Sequence, residues 1–167
     1  MIKATQIIGQ SVFYGLFIAA TGYLSASPAY QVIEPDMALV KISMAHTSKP
    51  AGKCITQTPE QLEKLPPNMR LPVVCPRERS PLYLEVELDG KMIYQESILP
   101  AGINHDSACY NYHKIKVPAG SYNLKTRMRD SILTEGFDYT AERNVELAAS
   151  DILVIDFDSK HQEFIFE

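Results

Sequence analysis

Residues 7–24 form an apolar run that no charge interrupts, whereas beyond Pro28 apolar and polar positions alternate in short runs broken by proline and glycine. A helix over those 18 residues spans roughly 27 Å, close to the hydrocarbon thickness of a bilayer. Gly9, Gln10, Ser11, Gly15, Thr21 and Gly22 dilute the run, and small residues let neighbouring membrane helices approach closely. The alternating part predicts strands. Residues 37–45 alternate in part and end at His46. Leu82, Leu84, Val86 and Leu88 alternate with Tyr83, Glu85 and Glu87, the period-two signature of a half-buried strand. Asp89-Gly90 supplies the positive φ angles of a tight hairpin, returning through residues 91–98. Further strands are expected over 112–117, along Tyr122, Leu124, Thr126 and Met128, along Phe137, Tyr139, Ala141, Val145 and Leu147, and at Phe164 and Phe166. The near-continuous apolar run 152–157 predicts a central strand covered on both faces.

Between the first two strands the alternation fails. Residues 47–80 carry Pro50, Gly52, Pro66, Pro67, Pro72 and Pro76, so an insertion of irregular structure is expected there. One short helix is predicted inside it. Thr58 caps it, Pro59 suits the first helical position, Gln61 completes a capping box, and Pro66-Pro67 ends it. The chain thus divides into an anchor or uncleaved signal (1–29), a spacer (30–36) and a β domain (37–167) with its insertion (47–80). The expected fold is mainly β: one N-terminal transmembrane helix, then an antiparallel β-sandwich of seven or eight strands with a cysteine-containing, partly helical insertion.

The run Lys116-Val117-Pro118-Ala119-Gly120-Ser121-Tyr122-Asn123-Leu124 resembles the strand-turn-strand edge of transthyretin-like and carboxypeptidase-regulatory-like modules. The chain as a whole is similar to uncharacterised membrane-anchored periplasmic proteins of Gram-negative bacteria, in which an anchor leads into a two-cysteine insertion and a sandwich. Neither resemblance implies an activity.

Two readings of the N-terminus stand side by side. A cleaved signal peptide would use the small residues at Ser27-Pro28-Ala29, whereas an uncleaved anchor suits a run longer than a usual signal core, with Pro28 inside the site. Either way Lys3 favours the cytoplasmic side, and Glu34 and Asp36 precede the first downstream lysine, Lys41. The expected location is a bacterial inner membrane, spanned once through residues 7–24, with the C-terminal domain periplasmic.

Composition adds exclusions. The 167 residues carry a formal net charge of -4 without a dominant basic face, which argues against nucleic-acid binding. Of three cysteines, Cys54 and Cys75 flank the predicted short helix. In an oxidising compartment they are expected to pair, constraining the loop by about 3 kcal/mol in the chain-entropy picture. The alternative is a metal site from His46, Cys54 and Cys75, with Met44 or Met69, whose soft ligands suit Cu(I). No Cys-x-x-Cys or paired-histidine spacing supports it. Cys109 shares parity with Ile115 and Val117 and is expected to be a buried free thiol.

Lys125, Arg127 and Arg129 form a basic stripe on the outward face of one strand, and Glu85 and Glu87 a smaller acidic one. These stripes either pair across strands or, with Arg77 and Arg79 beside Cys75, dock an acidic partner. Arg70 lies nearby in sequence. His105, His113 and His161 share no spacing, and Glu135 with Asp138 lacks a neighbouring nucleophile. The leading expectation is a non-enzymatic, membrane-anchored interaction module without cofactor. It would be an accessory or assembly subunit of an inner-membrane complex, for instance a respiratory one. The alternatives are a periplasmic copper-handling protein, or a sandwich binding a small ligand or glycan through Tyr83, Tyr110, Tyr112 and Tyr139.

Overall fold

The computed structural model describes residues 4–27 and 33–167, and the chain divides into two units at Glu34 and Pro35. Lys3, the Pro28-Ala29 part of the candidate cleavage site and residues 30–32 of the spacer lie outside the described residues. The first unit is helix α1 (Ala4–Ala26), 23 residues with no acidic group in its first turn and no basic group in its last. At about 1.5 Å per residue it is long and apolar enough to cross a membrane. The Thr21 hydroxyl donates to Phe17 O at 2.7 Å, so a polar group inside the apolar run is satisfied by its own helix.

The second unit contains β1 (Met37–His46), the insertion elements β2 (Ile55–Thr56), α2 (Pro59–Glu63) and β3 (Val73–Val74), then β4 (Leu82–Leu88), β5 (Lys91–Ile98), β6 (Cys109–Pro118), β7 (Gly120–Arg129), β8 (Tyr139–Leu147), β9 (Ile152–Asp158) and β10 (Glu163–Phe166). Two four-stranded sheets form, ordered β10-β9-β1-β6 and β5-β4-β7-β8. All pairs are antiparallel except β1 with β9, which run parallel from Leu39 opposite Ile152 to Ile42 opposite Ile155. The mainly β sandwich with an apolar N-terminal helix is therefore as expected, with one parallel pair inside it.

The inward rows make the core. Ala38, Val40, Ile42, Leu82, Leu84, Val86, Leu124, Met128 and Ile155 are fully buried in one cluster drawn from both sheets. Alternation does this directly, because residues two apart share a face of a strand. The Asp89-Gly90 turn has φ of 49° and 76°, the pair of positive values that a two-residue hairpin with the native twist requires. The Asn123 amide donates to Asp89 Oδ1 at 2.7 Å and ties this turn to β7.

Three expectations change in detail. β6 begins at Cys109 rather than residue 112, because its pairing with β1 continues until Cys109 faces His46. β9 is interior to its sheet by hydrogen bonding, yet only one face is covered: Leu153, Ile155 and Phe157 are buried while Ile152 is 53% exposed and Asp156 faces water. Phe137 precedes β8 instead of belonging to it, and stacks on Tyr83 at 6.1 Å between ring centroids.

The insertion forms as its caps dictate. The Thr58 side chain accepts from the Gln61 amide and the Gln61 side chain accepts from the Thr58 amide, closing the capping box. Arg70 donates to the carbonyl of Leu65 at 3.0 Å, covering an acceptor just past α2. No residue of β2, α2 or β3 is buried. A disulfide joins Cys54 to Cys75 across 21 positions, next to the two-residue ladder that pairs Ile55 with Val74. With so little apolar burial, that bond is the main constraint on the segment. In Cys54→Ser/Cys75→Ser, limited proteolysis is expected to cut within residues 55–74 much faster than in the wild type. The thermal midpoint of the sandwich should move little, since the core contains nothing from this segment.

Candidate functional site

The residues singled out by sequence separate into several places. On β4 and β7, Glu85 faces Arg127, and Glu87 faces Lys125. Arg127 Nη2 lies 2.7 Å from Glu85 Oε2 and also contacts Glu87, while its guanidinium covers the Phe137 ring at 4.8 Å. Lys125 has Glu142 of β8 on its other side, and Arg129 lies over the Tyr83 ring at 5.4 Å. The basic stripe is thus compensated within its own sheet. Arg79 donates to the backbone carbonyls of Ser48 at 2.8 Å and Asp106 at 3.3 Å, clamping the base of the insertion, whereas Arg77 is exposed beside Pro76.

The cysteine–histidine metal set does not assemble. Cys54 and Cys75 are bonded to each other, and both ring nitrogens of His46 are engaged elsewhere. Among the described residues no group of three or more His, Cys, Asp or Glu side chains is placed to hold a metal. The four tyrosines of the ligand-binding alternative are also dispersed: Tyr110 and Tyr112 stand on the outer face of one sheet, Tyr83 on that of the other, and Tyr139 beside His46. An apolar hollow of about 580 Å³ opens where Met92 and Ile93 face Ile115 and Val117, and none of the four lines it. Cys109 is fully buried, and burial pushes its thiol above the ordinary value, as suits an inert core residue.

The structure does assemble one polar cluster, at the end of the sandwich where β1, β7 and β9 finish. Asp130, 2% exposed, is its centre. His46 Nε2 lies 3.0 Å from Asp130 Oδ2, and His46 Nδ1 lies 2.8 Å from Ser159 Oγ. Lys49 Nζ sits 2.9 Å from both Asp130 Oδ1 and Asp138 Oδ1. The Tyr139 hydroxyl donates to Asp130 Oδ2 at 3.3 Å, and the Phe157 ring packs edge-on against His46 at 4.9 Å. An ionised carboxylate only accepts, so Nε2 carries a proton, and in that tautomer Nδ1 accepts a hydrogen bond from the Ser159 hydroxyl. Burial alone would raise the Asp130 carboxyl; the hydrogen bond from His46 and the pairing with Lys49 outweigh it and hold the group below its ordinary value. Burial likewise opposes the Lys49 charge, and the two carboxylates reverse that and raise it.

Ser159, His46 and Asp130 share the connectivity of a nucleophile, base and orienting acid. The surroundings differ from a hydrolytic site. The amides of Lys160 and His161, the nearest donors after Ser159, both donate to Asp158 Oδ1, at 2.7 and 3.2 Å. They are therefore occupied instead of aimed at a developing oxyanion. Parity is the signal that could have joined these residues: His46 continues the inward row of Ala38 to Met44, and Asp130 that of Leu124 to Met128. Glu135, close to Asp138 in sequence, is exposed outside the cluster.

Comparison of the chain with protein-family models, with curated proteins and with solved structures returned no match. The likeness of residues 116–124 to transthyretin-like modules rests on those residues alone.

Because the Asp130 pKa is depressed on folding, its contribution to stability is present above the unfolded carboxylate value of about 3.9. It is lost as pH falls through the folded value. Asp130→Asn is expected to destabilise by on the order of 2 kcal/mol, less than the roughly 3–5 kcal/mol of a fully buried pair because Lys49 reaches water. Urea unfolding from pH 7 down to pH 3 should show a shallower acid decline in the variant than in the wild type.

Proposed function

We propose that the protein is a membrane-tethered periplasmic interaction module. It serves as an accessory or assembly subunit of an inner-membrane complex and performs no reaction of its own. The observation that carries this reading is the insertion. Ile55, Met69, Leu71, Val73 and Val74 are between 41% and 69% exposed on a segment held by a disulfide. Apolar side chains grouped in water mark a surface that a partner covers, and a stapled segment loses less conformational entropy when it docks. A structural disulfide persists best in an oxidising compartment, and a helix of spanning length keeps the module at the bilayer. Together they favour the periplasmic side of an inner membrane.

The test is purification of the full chain from mild detergent after cross-linking, with its partners identified by mass spectrometry. An integral membrane partner is expected at stoichiometric yield, and Leu71→Asp/Val73→Asp should lose it without lowering the thermal midpoint of the sandwich. Recovery of the chain alone, as monomer or homodimer, overturns the reading. So does a reporter fused after Glu167 that proves cytoplasmic. A fluorophosphonate probe is expected to leave Ser159 unlabelled; stoichiometric labelling would contradict the non-enzymatic part of the reading.

A further inference from the structure

The outer face of the β10-β9-β1-β6 sheet sets like charges directly opposite one another twice, with opposite signs. Lys41 on β1 faces Lys114 on β6, and Asp158 on β9 faces Glu163 on β10. All four stand on the outward parity, since Val40, Ile42, Val117, Phe157 and Phe164 between them are buried in the core. Both lysine ammonium groups lie 5.4 Å from the centroid of the Tyr112 ring, and Tyr112 and Tyr110 are 60% and 63% exposed. Like charges placed opposite each other destabilise a strand pair. On the acidic side His161 relieves part of the repulsion, its Nδ1 lying 2.5 Å from Asp158 Oδ2, while Asp156 and Glu163 face water. The sheet order places the lysines on the β6–β1 half and the carboxylates on the β9–β10 half.

We propose that this face binds a second copy of the same chain, face to face about a twofold axis that lies in the plane of contact, oblique to the strands and midway between the Lys41–Lys114 and Asp158–Glu163 pairs. Lys41 is level with Val154, four positions along β9 from Asp158, so an oblique axis is what exchanges the two pairs. Rotation about it lays Lys41 and Lys114 of each copy over the acidic half of the other, so both unfavourable pairs gain counter-charges at once. An acidic partner protein would satisfy only the lysine half and a basic one only the carboxylate half. A second copy satisfies both, which is the self-complementarity an isologous dimer requires. Tyr110 and Tyr112 supply large, rigid contact area in the kind of position where tyrosine is enriched at interfaces. A shared bilayer raises the effective concentration of the two domains, so a modest interface is enough.

The experiment uses the full chain in detergent micelles, with mass read by light scattering. The wild type is expected to be a dimer that weakens as salt rises, because exposed charges are screened beyond about 8 Å at physiological ionic strength. Lys41→Glu/Lys114→Glu and Asp156→Lys/Glu163→Lys are each expected to be monomeric alone and to form a one-to-one heterodimer when mixed. Circular dichroism checks that both fold. If either does not, Lys114→Gln and Asp156→Asn replace them, each expected to weaken the dimer about tenfold. A monomeric wild type overturns the proposal. So does a homodimer that survives either charge reversal, which assigns the contact to the helix, and so does a mixture that stays monomeric. Partner capture by the insertion is read separately and is unaffected by these variants.

Discussion

Interdigitation of the inward rows of two sheets is the constraint from which the remaining features follow. Val40 and Ile42 on one side and Leu84, Val86, Leu124 and Met128 on the other lose all contact with water. At roughly 25 cal/mol per Å² of apolar surface removed, rows of this kind dominate the stability of a domain of about 130 residues, where the net margin is a small difference of large terms. Segments that share in this burial are ordered by it. A segment that does not share in it needs another source of order, and residues 51–79 have the disulfide, the capping box and the Arg79 clamp.

The polar cluster is how the sandwich closes at one end. The inward row of β1 reaches His46 and that of β7 runs on to Asp130, so two polar side chains meet where the apolar rows stop. Neither can be left without a partner at such burial, because an unpaired buried charge costs far more than its pairing returns. Lys49, Tyr139, Ser159 and the Asp138 carboxylate complete the set. The same need accounts for the relay-like geometry, and the amides of Lys160 and His161 that follow Ser159 already donate to Asp158.

Charge has a different role on the two outer faces. On the β5-β4-β7-β8 sheet, Arg127 is shared by Glu85 and Glu87, so opposite charges pair across its strands. On the other sheet, Lys41 faces Lys114 and Asp158 faces Glu163 across the strands, with His161 paired to Asp158. A face that keeps its charges apart is suited to meeting complementary charge from outside. The two proposed contacts therefore use different surfaces, the stapled insertion through apolar side chains and this face through charge.

Local patterns in the sequence determined much of this. The uncharged run became α1, Asp89-Gly90 became the hairpin, Thr58 and Gln61 capped α2, and the alternation from Leu82 to Leu88 placed the core row, because each depends on neighbours a few residues away. The disulfide was legible too, from two cysteines flanking one short helix. Register across distant strands was decided only in three dimensions. The parallel pairing of β1 with β9 joins residues more than a hundred positions apart, and no local pattern encodes which strand lies beside which. That pairing brings Ser159 to His46, and the packing of the two sheets brings both to Asp130. The meeting of Lys41 with Lys114 likewise depends on the β1–β6 register, which only the folded chain specifies.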